Sequence, residues 1–178
     1  RYFNELYNNL PSDIQLQVSI LINENLYLRN NNKIKDIPFH LLKNFKGKHT
    51  VNKLINQINK DYSKRIIKKG NYDLFHPTYY DPYFFSFIPN KPVVVTIHDM
   101  THEVFNQLPE TIENKRRQIF ESDHIIAISN STKNDILKFY PEIPSSKISV
   151  IYHGLNQLPI TNDINYYGNY ILYVGRRN

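Results

Sequence analysis

PVVVTIHDMTHE, residues 92–103, runs through Val93, Val94, Val95, Thr96 and Ile97 and stops at an ionisable pair, His98 and Asp99. A continuous β-branched run is what burial on both faces of a parallel sheet demands. Two further runs end the same way. HIIAIS stops at Ser129, Asn130 and Ser131, and ISVIYHG stops at His153 and Gly154. YDLFHP is a shorter strand candidate, closed by Pro77 with His76 just before it. Open α/β sheets bind ligands outside the carboxyl ends of their strands. His76, His98, Ser129 and His153 are therefore expected along one edge.

Helical patterns lie between these runs. RYFNELYNNL spaces Phe3, Leu6, Tyr7 and Leu10 for one helix face. Residues 16–28, LQVSILINENLYL, alternate loosely as a strand would, and NNNKIKD is a polar loop. Residues 50–69 place Val51, Leu54, Ile55, Ile58, Tyr62 and Ile66 at helical spacing, with Gly70 where a C-terminal cap belongs. Residues 110–121, ETIENKRRQIFE, read as a helix. Ser131 or Thr132 can cap the next helix, with Asn134 or Asp135 at the capping-box distance; it buries Ile136, Leu137 and Tyr140 and is stopped by Pro141. KISVIYHG and YILYVG complete the strands. Alternating strands and helices with short loops predict an α/β domain with a mainly parallel sheet.

The length of 178 residues suits one domain, or one domain and the beginning of another. An apolar fraction of 40%, with fourteen Tyr and ten Phe, can fill a sizeable core. No run of eighteen apolar residues occurs, so no membrane span is expected. The absence of cysteine excludes disulfides and thiolate metal sites and suits a reducing cytoplasm. A net charge of +6 attracts anions in general, or reflects lysines spread over solvated faces. There is no GxxxxGK[ST] loop, GxSxG elbow or intact GxGxxG, which weighs against phosphate-loop ATPases, α/β-hydrolases and simple dinucleotide dehydrogenases. The chain opens on Arg1 inside a helical pattern and closes on a strand followed by a turn, so a piece cut from a larger protein at both ends is expected.

Each candidate site carries a bland reading beside a sharper one. His98 is a loop histidine beside a turn-forming Asp99, half of a metal pair with His102, or an imidazole that faces a ligand. FHPTYYDPYFF, residues 75–85, is a core-covering loop or an aromatic wall for a sugar or lipid, with Tyr79 and Tyr80 supplying hydroxyls. Ser129, Asn130, Ser131 and Thr132 cap a helix or cradle an anion.

Taken together, YDLFHPTYYDPYF, KPVVVTIHDMTHEVF, SDHIIAISNSTKNDILKFY, KISVIYHGLN and YILYVGRRN resemble the amino-terminal half of a family 4 glycosyltransferase of GT-B fold. The likeness is closest to bacterial mannosyltransferase-like enzymes of O-antigen and capsule synthesis. It implies a Rossmann-like, mainly parallel sheet with helices on both faces. Residues 1–165 would form the acceptor-side domain, lacking its first strand, and residues 166–178 a linker and the first strand of the donor-binding domain. It further implies retaining transfer of a hexose, mannose among the candidates, from a nucleotide-sugar to a glycan or lipid-linked acceptor, with no cofactor, no metal and no nucleic acid.

By the same resemblance His98, with Asp99 beside it, would be catalytic at the donor sugar, and Arg176 would bind the donor diphosphate. His76, Tyr79, Tyr80, Ser129, Asn130, Ser131, His153 and Gly154 would line the cleft. The family's glycine-rich loop would lie before Arg1 and much of its donor site beyond Asn178, so this piece alone is expected to be inactive. The implied location is cytoplasmic. Lys60, Lys64, Arg65, Lys68 and Lys69 would lean on the anionic inner face of the membrane, or else form a solvated helix face. The rivals are a GT-B-type nucleotide-sugar epimerase and a non-catalytic α/β ligand-binding module.

Overall fold

A computed structural model describes residues 2–23, 37–38 and 47–154. Helix α1 (Tyr2–Asn8) comes first, followed by the short strands β1 (Ile22–Asn23) and β2 (Ile37–Pro38), which pair in parallel. The long helix α2 (Lys48–Lys69) follows and ends on Gly70 at φ 67°, as its sequence predicts. From there the chain builds a three-stranded parallel sheet in the order β3-β4-β5, with β3 at Val94–Ile97, β4 at His124–Ala127 and β5 at Ile148–Val150. Helices α3 (Thr101–Phe105) and α4 (Pro109–Glu121) connect β3 to β4, and α5 (Asn130–Phe139) connects β4 to β5. The protein is thus α/β, with helices flanking a parallel sheet.

The PVVVTIHD run behaves as its composition demands. Val95, Thr96 and Ile97 are buried in succession, on both faces of the sheet. Val95 and Ile97 share one core with Ile125 and Ala127 of β4, Ile119 of α4 and Ile136 of α5. Burying such side chains contributes about 1.5–3 kcal/mol each, which is what holds the strand ends in place.

Several expectations need correction. YDLFHP forms no strand: it makes a single parallel bridge, Phe75 to Val93. Of residues 16–28 only β1 is a strand among the described ones; the Leu21 and Ile22 amides donate to Asn59 Oδ1 of α2, which ties this stretch to the helix. The inward face of α2 is also displaced. Leu54 is 60% exposed, while Ile55, Ser63 and Ile67 are buried. The stripe at 55, 59, 63 and 67 contains two polar residues, so counting apolar positions selected its flank. Helix α5 is capped by Ser129, not by Ser131 or Thr132: the Ser129 hydroxyl accepts the Thr132 amide at 3.1 Å. Helix α3 has no counterpart in the sequence reading; it starts where Asp99 Oδ1 accepts the Thr101 amide at 3.0 Å. YILYVG, the polar loop NNNKIKD and Arg176 lie outside the described residues. Among those described, no helix is long and apolar enough to cross a membrane.

Candidate functional site

Three histidines leave the sheet at one edge. His98 follows β3 directly, His153 follows β5, and His76 follows the bridging residue Phe75. The His98 and His153 rings are 5.4 Å apart between centroids. His76 Nε2 lies 2.9 Å from Thr96 Oγ1, so this ring is tied to β3 as well. Helix α1 packs its first two aromatics on the group and leaves His153 exposed. Tyr2 stands edge-on to His98 at 5.1 Å and 4.8 Å from His153, and Phe3 lies 5.4 Å from His76 and 6.4 Å from His98.

This enclosure sets the charge state. Burial, then the neighbouring His98, hold the His76 imidazole below its usual 6.5. Burial, then His153, lower His98 as well, against the opposing pull of Asp99. For Asp99 burial acts upward, but the Thr101 amide and hydroxyl, with the charges of Lys115 and His102, hold the carboxyl below its usual value. The Tyr80 hydroxyl is pushed up to about 12, chiefly by burial. Near neutral pH His76 and His98 are therefore uncharged, beside the neutral Tyr80 phenol and the Asp99 carboxylate. Such groups exchange hydrogen bonds and protons with a hydroxyl-rich ligand.

The aromatic segment is divided between core and surface. Phe84 is in the core, whereas Tyr79 is 76% exposed. Between them Tyr80 turns its hydroxyl to the end of β3, where it accepts the His98 backbone N–H at 3.1 Å. The β4 end is arranged differently. Ser129 is committed to its cap, Asn130 Nδ2 donates to the Tyr152 hydroxyl at 2.8 Å, and Ser131 is exposed. Gly154 is exposed and open, with nothing within 4 Å of where a Cβ would stand. Among the described residues no three His, Cys, Asp or Glu side chains gather as a metal site.

Sequence reasoning missed the supports on α4. Lys115, Gln118 and Ile119 are its buried residues. Gln118 Nε2 donates to the Tyr79 carbonyl at 3.0 Å, and Lys115 Nζ donates to the Asp99 carbonyl at 3.0 Å and to Glu103 Oε2 at 2.9 Å. One signal was available. Lys115 stands four residues before Ile119, on the helix face that the core requires.

None of the curated proteins compared matches this chain. A family model described as Glycosyltransferase Family 4 matches residues 31–157, a span that takes in α2, the whole β3-β4-β5 sheet and all three clustered histidines. With the match covering well over half of the 178 residues, the chain belongs to Glycosyltransferase Family 4.

Proposed function

We propose that this chain is the acceptor-side part of a retaining hexosyltransferase that moves a sugar, mannose among the candidates, from a nucleotide donor to a glycan or lipid-linked acceptor in surface polysaccharide synthesis. Residues 1–165 make up that domain, and residues 166–178 begin the donor-binding one. The observation that carries the reading is the cluster of His76, His98 and His153 on one side of the sheet, after the Phe75 bridge, β3 and β5, beside Tyr80 and Asp99. A family 4 domain implies nucleotide-sugar and acceptor substrates in general. An imidazole fixed by a buried strand is suited to the donor sugar, since a preorganised group reorganises little as the sugar develops positive charge and the diphosphate departs. Arg176 is assigned to that diphosphate, where one charge-assisted contact contributes about 1.5–3 kcal/mol. Peripheral contact with an anionic leaflet would fall to Arg65, Lys68 and Lys69, because Lys60 pairs with Asp81 and Lys64 with Asp61.

The test is product analysis on the full-length protein, offered UDP-glucose, UDP-galactose, UDP-N-acetylglucosamine and GDP-mannose with cell-envelope glycan and lipid extracts. A new glycosidic bond is expected. An epimerised donor would mark an epimerase, and no product a binding module. His98→Ala should lower turnover at least about tenfold with the fold intact, since each 1.4 kcal/mol lost is about tenfold in rate. Asp99→Asn should matter less, because its carboxylate also closes the turn into α3. Normal turnover by His98→Ala would return this histidine to a packing role. Vesicle co-sedimentation equal for neutral and anionic lipid would remove the membrane contact.

A further inference from the structure

We propose that Lys115 is the positioning residue of the His98 edge: a buried ammonium that fixes both the turn after β3 and the tyrosine that holds the His98 backbone. The inference rests on the reading of His98 given above. Lys115 Nζ donates to the Asp99 carbonyl and to Glu103 Oε2 and stands 5.2 Å over the Tyr80 ring. Tyr80 in turn accepts the His98 N–H. One cation thus joins α4, α3, the aromatic loop and the first residues beyond β3.

Stability alone does not account for it. The side chains of Lys115 and Glu103 are 0% and 2% exposed. Lysine and glutamate are almost never fully buried unless paired, and replacing such a pair with apolar residues is often neutral or stabilising. A methionine at 115 could fill the space. It could not hold a carbonyl, a carboxylate and an aromatic face at once, which an ammonium with three N–H donors does. Two of the three contacts lead to residues 98 and 99, where the chain leaves the sheet: the Asp99 carbonyl directly, and Tyr80 through the His98 N–H that it accepts. Loss of the ammonium should therefore loosen the His98 imidazole. Misplacing a reacting group lowers kcat more than it weakens binding.

The test is the double variant Glu103→Gln, Lys115→Met in the full-length protein, which removes both charges together and leaves no buried charge unpaired. Three quantities are measured: thermal unfolding, the His98 imidazole titration by NMR, and kcat and KM for nucleoside diphosphate release from whichever sugar nucleotide of the panel above is turned over. The expected result is cooperative unfolding, a displaced His98 titration midpoint, kcat lower by roughly tenfold and KM within about threefold. A purely structural role would move the melting midpoint and leave the His98 titration and kcat alone, and that result would overturn the proposal. Should the double variant fail to fold, Lys115→Arg decides by the same readouts. It keeps Glu103 paired but redirects the donors through a planar fork, so it should move the His98 titration in the same sense. If His98→Ala itself turns over normally, the reading of the histidine has failed and the positioning role falls with it. If His98→Ala loses turnover while the Lys115 variants keep it, only the positioning role fails.

Discussion

Helices α2 and α4 carry nearly the same basic texture, KDYSKRIIKK in one and ENKRRQIFE in the other, and use it in opposite ways. In α2 the cations stay at the rim. Lys64 pairs with Asp61 at 3.0 Å and Lys60 with Asp81, all in contact with solvent. In α4 the first cation of the run, Lys115, is wholly buried, while Arg116 and Arg117 pair with Glu113 and Glu121 at the surface. A solvated pair gives little because water already satisfies both ions. A buried one makes each partner dependent on the other, since the survivor of a broken pair is left charged in the core.

Removing single side chains should break this comparison most visibly. Lys115→Ala leaves the Glu103 carboxylate buried without its partner, and urea unfolding should show a loss of about 3–5 kcal/mol. A loss below about 1 kcal/mol would make the two basic runs equivalent and end the contrast. Next in size is the effect at the end of α2. Gly70 lies at φ 67°, and a Cβ there would stand 2.9 Å from Pro89 Cγ. Gly70→Ala should cost about 1–2 kcal/mol, the usual penalty of the left-handed region for a residue with a side chain. An unchanged unfolding midpoint would mean that the helix end relaxes without resistance.

A pH series sharpens the same contrast from the α4 side. The folded-state values of His76 and His98 lie below 6.5, for burial first and the neighbouring imidazole second. The unfolded chain therefore takes up protons first as pH falls. Their contribution to stability is full above about 6.5 and drains away as pH drops through the folded values. Unfolding midpoints at pH 7.5 and 5.5 should differ in that sense, and His76→Gln should flatten the curve. A midpoint that rises on acidification would contradict it. The smallest effect is expected on α2: Lys64→Ala should leave both the midpoint and the shape of the pH curve as they are, and a clear loss would show that this rim pair does more than its exposure allows.

Much of the site's scaffold was legible in the chain. The run from Val93 to Ile97 could only be a strand buried on both faces, so His98 had to emerge at its end. His153 could be placed for the same reason, after ISVIYHG. Their proximity follows from parallel strands ending on one side of the sheet. The readings that went wrong have a common cause. Leu54 was assigned to the core because it is apolar, yet the inward stripe of α2 runs through Asn59 and Ser63, whose polar groups bond the chain packed against them. Ser131 or Thr132 is expected to cap α5, yet it is the Ser129 hydroxyl that closes its first turn. Phe3 is expected on one face of a helix, with nothing in RYFNELYNNL to say that it and Tyr2 would pack on the histidines.

The sequence by itself determined the three strands of the β3-β4-β5 sheet, most of the helices and the residues at which that sheet ends. These follow from side-chain periodicity and β-branching, which act over a few neighbouring positions. The tertiary structure alone decided which polar residues would be buried. Lys115 sits in a run of charges that reads as solvated, and its partner Glu103 lies 12 positions away and its carbonyl acceptor on Asp99 lies 16 away. Whether a cation can leave water depends on what meets it there. For Lys115 a carboxylate, a carbonyl and a tyrosine ring converge on one point only after three elements have packed.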